Sequence, residues 1–191
     1  MLLRSASVPE IALVGDLTDH ESDLTAKLLE IPHGGKCQLY IDSPGGSPYS
    51  GLSLMSIMLL RGLQATGVVT GECSSAALWP FAACVRRVVT PYSVLLFHPM
   101  KWQSEEHIGL AEAAEWARHF GDLEKEMDRI LVELLGLDAS KMSRWMQPGR
   151  YISGRDFADA GLAELIEVES LRRMGTRSRR GTKRSPRRRL G

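Results

Sequence analysis

Short apolar runs that alternate with longer helical segments constrain this chain most. Ile11–Val14, Gln38–Ile41, Gly67–Val69, Val85–Thr90 and Val94–Phe97 are too short for helices and are bounded by Gly, Asp, Pro or other polar residues, so each reads as a buried strand. Thr18–Glu30, Gly51–Leu63 and Ser74–Ala83 read as the helices between them. The first opens on a cap-like Thr and acids and sets Leu24, Leu28 and Leu29 at helical spacing. A longer periodic segment covers residues 105–134, with Ala113, Ala117, Phe120, Leu123, Met127, Ile130 and Leu134 on one stripe. Strands and helices in alternation predict an α/β fold with right-handed crossovers, without internal repeats.

At 191 residues the chain is long enough for one domain with a real core. Its formal charge of +1 conceals an asymmetry. Of the 24 Lys and Arg, ten fall in residues 171–191, which hold no acid. That leaves 14 basic against 23 acidic residues, a net of −9, in residues 1–170. An acidic folded body with a basic tail is not the pattern of a uniformly basic nucleic-acid binder. Cys37, Cys73 and Cys84 are odd in number and form no CxxC pair, which argues against a disulfide framework or zinc knuckle and suits a reducing compartment. Ser, Pro and Glu interrupt the first apolar stretch, so no signal peptide is read, and no apolar run approaches a membrane span. A cytoplasmic protein is expected.

Three short motifs carry chemistry. DSPGGS, residues 42–47, follows a strand, and its glycines can turn backbone N–H groups outward, where they can hold a developing oxyanion; the same residues also suit an ordinary turn. Ser75 lies 29 residues beyond Gly46, in GECSSAA at a strand-to-helix turn where a nucleophile can protrude with the next N–H, that of Ala76, beside it. VLLFHP ends a strand in His98, and imidazole is the usual general base near neutral pH. A lone histidine there is commonly structural; three signals in one order weigh differently.

YIDSPGGS, GECSSAA and LLFHP, in this order and at these separations, resemble the proteolytic subunit of the Clp protease, the ClpP or S14 serine peptidases. The resemblance runs from about Ile11 to Val168 and includes YISGRDFADAGLAELI, similar to the family's closing helix, Gly-Leu turn and last strand. It implies a ClpP/crotonase-type α/β fold with repeated β-β-α units and a long handle helix. Residues 1–10 would be a short N-terminal extension, 11–169 the ClpP-like peptidase domain and 170–191 a disordered basic tail. By the family pattern Ser75 is the nucleophile, His98 the base, and the Gly46 and Ala76 N–H groups the oxyanion donors, while Ser74 only packs. The implied activity is ATP-dependent serine endopeptidase action on unfolded or short polypeptides, inside a homo-oligomeric ring fed by an AAA+ unfoldase ATPase.

The chain departs from the pattern in three places. Gly149, in QPGRYIS, stands where the family has the Asp that orients the histidine. A backbone carbonyl, a water, Gln147, Asp156 or Asp159 could take that part. Otherwise the chain is a catalytically impaired structural subunit co-assembling with an active ClpP paralogue. Only ten residues precede Ile11, fewer than the family's gate-forming N-terminus has. MKWQSEEHIGLAEAAEW replaces the glycine-rich strand before the handle helix.

Other enzymes remain as rivals: an acyl-CoA crotonase, which would not need Ser75 and His98, and a phage head-maturation protease. Cys73 is read as a small buried hydrophobe, and His20, His33, His107 and His119 lack metal-ligand spacing. No cofactor or metal is expected, and without a GxxxxGK[ST] motif neither is ATP binding by this chain. The tail is read as a solvated extension with polyanion contact as its alternative; its arginines have no interleaved aromatics for base stacking.

Overall fold

In a computed structural model, the structure describes residues 8–101, 103 and 107–169. The expectations for the basic tail and most of the N-terminal extension lie outside those residues, as do Trp102, Glu105 and Glu106. Seven strands form one sheet. Strands β1 (Glu10–Asp16), β2 (Lys36–Gly45), β3 (Gln64–Ser74), β4 (Arg86–Val89) and β7 (Glu164–Leu165) run parallel in that order. β5 (Val94–Phe97) joins β3 in parallel beyond the end of β4, and β6 (Arg150–Ser153) pairs antiparallel with β5.

Helix α1 (Leu17–Glu30) begins where the Asp16 side chain accepts the Thr18 N–H, and it buries Leu17, Leu24 and Leu28. Helix α2 (Pro48–Leu60) starts with Pro48 at its first position, where proline's absent N–H costs nothing, and buries Leu54, Met55 and Met58. These apolar faces meet Ile11, Leu13 and Leu39 of the first two strands. After β3 comes one 3-10 turn, Ser75–Ala77, then the short helix α3 (Leu78–Ala82), all five of whose residues are buried. Helix α4 (Leu110–Leu135) ends at Gly136 in the left-handed conformation, φ 63°, and crosses α3. Trp79 Nε1 donates to Met127 O at 3.1 Å, joining the two. Helices α5 (Ala139–Met146) and α6 (Gly154–Asp159) complete the chain. The Phe97, Phe157 and Trp145 rings pack within 5.0–6.4 Å of one another, which anchors the end of β5 against α5 and α6.

Several boundaries differ from those read in the sequence. β2 runs on through Asp42–Gly45, because Asp42 and Gly45 pair with β1 and Ser43 with Cys73 of β3. β3 likewise continues to Ser74, so the helix read from Ser74 starts later and first as a 3-10 turn. On α4 the buried residues are Met127, Leu131 and Leu135, while Ala117 is exposed. Only the C-terminal half of the helix has a core beneath it. α5 falls in a stretch for which no helix was read. Among the described residues no helix is long and apolar enough to cross a membrane.

Candidate active site

β3 delivers Ser75 to the surface of the sheet. Cys73 and Ser74 are buried, and at Ser75 the backbone enters the left-handed region at φ 51°. That conformation costs a non-glycine residue about 1–2 kcal/mol and has to be held by its surroundings. Part of what holds it is the glycine turn at the end of β2. A Cβ on Gly45 (φ 103°) would lie 2.7 Å from Ser75 Cβ and 2.9 Å from Ala76 N, so only glycine lets the two turns touch. A Cβ on Gly46 (φ 140°) would strike the Asp16 carboxylate.

Hydrogen bonds fix the same turn from both sides. Gly45 N donates to Ser43 Oγ at 3.1 Å, and that hydroxyl donates to Gly15 O at 2.6 Å. Ser47 N donates to Thr18 Oγ1 at 2.8 Å. The Gly46 N–H between them has no partner among the described residues. The Ala76 N–H, in the first turn of a helix, has none within that helix. Gly46, Ser75, Ala76 and His98 all line one cavity of about 80 Å³.

His98 reaches the cavity because strand side chains alternate. Leu95 and Phe97 point into the core, and the next residue turns the other way. His98 Nδ1 lies 2.7 Å from Pro99 O. A carbonyl only accepts, so Nδ1 carries the hydrogen and Nε2 keeps a lone pair. Among the described residues no hydrogen bond joins Ser75 Oγ to His98. Gly149 packs beside the His98 backbone: its Cβ would lie 3.2 Å from His98 Cβ and 3.6 Å from His98 Cα, in a backbone at φ 120° that an L-residue adopts only under strain. Gln147, Asp156 and Asp159 do not line this cavity. Asp156 instead accepts the Ser153 hydroxyl at 2.7 Å.

The two neighbouring candidates in the opening motif are accounted for otherwise. Ser74 is buried and its hydroxyl donates to Glu72 Oε1 at 2.6 Å. Cys73 is fully buried with its Sγ 3.5 Å from Ala77 O, and burial pushes its thiol well above the usual range, away from the reactive thiolate. Cys37 and Cys84 are free and buried as well. No group of three or more His, Cys, Asp or Glu that could hold a metal occurs among the described residues.

The far wall of the cavity holds residues that no sequence motif assigns to the site. Trp79, Met100, Met127 and Met146 are its apolar part. Glu124 and Asp128, one helical turn apart on α4, supply two carboxylates, and Lys101 lies at its exposed edge. Glu124 Oε1 accepts the Met100 N–H at 2.6 Å. Asp128 Oδ1 is buried with no hydrogen-bond partner. Burial first, and the Glu124 charge second, push the Asp128 carboxyl up to about 6. Its position within MDRIL, one residue past Met127 of the buried stripe, was the available signal.

A mostly parallel sheet whose central strand ends in a serine on a left-handed turn, beside a glycine turn and a strand-end histidine, has the ClpP/crotonase-type fold. The family profile described as Clp protease matches residues 6–170, and the chain belongs to that family. It is similar to proteins named ATP-dependent Clp protease proteolytic subunit. That of Chlorella vulgaris is 27% identical over 136 residues, covering 69% of this chain and 66% of the relative. That of Ostreococcus tauri is 30% identical over 134 residues, covering 67% and 64% respectively. The Pleurastrum terricola protein is 23% identical over 165 residues, 83% of each chain. The chain thus spans just under two thirds of the length of the first two.

Proposed function

We propose that this chain is a serine endopeptidase, a ClpP-like proteolytic subunit that cleaves unfolded or short polypeptides within a self-assembled cytoplasmic ring fed by an ATP-dependent unfoldase. The observation that carries the reading is the convergence of Ser75, His98, Gly46 and Ala76 on one cavity. Ser75 Oγ attacks the peptide carbonyl while His98 Nε2 takes its proton, and the two N–H groups hold the oxyanion. His98 then returns the proton to the leaving amine, and water releases the acyl-enzyme. No hydrogen bond joins Ser75 Oγ to His98 among the described residues, and catalytic hydrogen bonds commonly tighten only in the complex with substrate.

The Pro99 carbonyl takes over one duty of the absent carboxylate. It holds the hydrogen on Nδ1 and so keeps the base-competent tautomer. A neutral carbonyl stabilises the imidazolium less than a carboxylate does, so the reaction runs more slowly than with a full triad. Loss of the correct tautomer costs about 10⁴ in kcat in a serine protease whose orienting Asp is replaced by Asn, and the cost here is smaller than that.

The second reading, an impaired structural subunit paired with an active homologue, rests on Gly149. Labelling with a fluorophosphonate, located by mass spectrometry, separates the two. The peptidase reading expects a label on Ser75 that vanishes in Ser75→Ala and falls by about 10³ or more in His98→Ala. An unlabelled Ser75, under conditions that saturate an ordinary serine peptidase, gives the scaffold reading.

A further inference from the structure

The cavity beside Ser75 has an unusual end. Its walls are apolar at Trp79, Met127 and Met146, yet Asp128 sits there with one oxygen buried and unpartnered. A buried polar atom without a partner is costly, and a functional site is one place where chains keep such an atom. The surrounding cations do not answer it. Arg129 is held by Glu126 and Glu133, and Lys125 lies nearest Asp122. Lys101 is exposed and forms no ion pair with either cavity carboxylate among the described residues. At about 80 Å³ the cavity matches one side chain and is well short of the roughly 300–1,000 Å³ of pockets for drug-sized ligands.

We propose that this cavity receives a lysine or arginine side chain of the polypeptide under attack, its aliphatic stem against Trp79, Met127 and Met146 and its charge on the Asp128 carboxylate. The inference rests on the peptidase reading and deepens it by naming a substrate class. Long cationic side chains suit such a slot because their methylene stems are apolar and only their tips are charged. An incoming cation pairs with the Asp128 carboxylate and offsets the cost of its burial, and Glu124, one turn away, adds attraction to it. His98 is the remaining titratable group on the lining, and its neutral form is the one the reaction uses. A neutral apolar side chain of the same length fills the volume but leaves the carboxylate desolvated and unpaired, so the site discriminates against it.

The test uses the full chain at pH 8, where Asp128 is ionised, and two peptidyl diphenyl phosphonates that differ only in the residue beside the phosphorus: lysine in one, norleucine in the other. Ser75 Oγ displaces a phenolate from either probe, and mass spectrometry reads the rate of the adduct. The lysine probe is expected to react faster by about tenfold or more, and Asp128→Asn to shrink that ratio by a similar factor. Asp128→Glu, which keeps the charge, retains a ratio above one and shows that the site still folds. A norleucine probe that reacts as fast, or a ratio unmoved in Asp128→Asn, overturns the inference. So does a silent lysine probe while a fluorophosphonate still labels Ser75, and in that case the peptidase reading stands. Silence of all three reagents overturns both.

Discussion

The two walls of the cavity are built on different terms. The wall from β2 and β3 is over-determined: Gly45 touches Ser75, Ser43 and Thr18 bracket Gly46, and every contact is a backbone or short side-chain contact. The wall from β5 and α4 carries loose ends, namely an imidazole held by one carbonyl and a carboxylate oxygen held by nothing. Backbone chemistry tolerates almost no change of side chain, because a single Cβ collides. Side-chain chemistry on a helix face is open to change without disturbing the sheet. The first wall carries the glycine and serine motifs, and the second holds an acid, Asp128, that no motif marks.

This contrast can be broken or sharpened by substitution. Gly45→Ala has the largest expected effect: overpacking against Ser75 and a positive φ together cost on the order of 3 kcal/mol, read by urea unfolding, and fluorophosphonate labelling is lost. An ordinary surface-like cost at Gly45 would remove the claim that this wall is sterically closed. Thr18→Val comes next. It takes away the acceptor of the Ser47 N–H for about 1 kcal/mol, and slackening beside Gly46 lowers the labelling rate by about tenfold. An unchanged rate would mean that Thr18 does not hold the turn in place.

Asp128→Asn gives the smallest effect, and its sign is opposite. Burial raises the folded carboxyl from its usual range to about 6, so the native state binds more protons than the unfolded chain between roughly pH 4 and 6. Wild-type stability attributable to this group is therefore fully present below about pH 4 and is lost as pH rises through about 6. Glu124 on the same helix and His98 and Lys101 from the end of β5 share the cavity, with Lys125 and Arg129 on the adjoining groove, so the comparison is made between matched proteins across the pH range. The melting temperature of Asp128→Asn is expected to exceed that of the wild type at pH 8 and to lose that advantage by pH 4. A difference independent of pH would mean that Asp128 is not desolvated.

Most of the sheet was legible in the sequence, since strands announce themselves by short apolar runs, and the motifs singled out Ser75 and the Pro-Gly-Gly segment without their contacts. What was not legible depends on partners distant in the chain. DSPG looks like a turn until β1 and β3 supply its pairing, and the stripe on α4 could not be centred without knowing that only half of it covers α3. Gly149 was set at the position of the family's Asp by motif alone, and the chain brings it beside the His98 backbone and Cβ. The Pro99 carbonyl is a local contact invisible to any motif, and Asp128 became interesting only when α4 brought it to a serine 53 positions earlier.

The ladder between β3 and β5 has one more consequence. Ser74 pairs with Leu96, so Ser75 and His98 emerge from adjacent strands, whose spacing is about 4.8 Å wherever strands pair. The separation of the two strands is set by a lattice constant of the sheet, and no side-chain adjustment elsewhere changes it much. The alternative arrangements are discrete. A one-residue slip of β5 would turn His98 into the core and put Phe97 in the cavity, and the next allowed position lies a further residue along, near 7 Å from the first. The strand positions that carry the proposed pair are thus fixed by register, in whole steps, and what remains adjustable is the side-chain torsion at each.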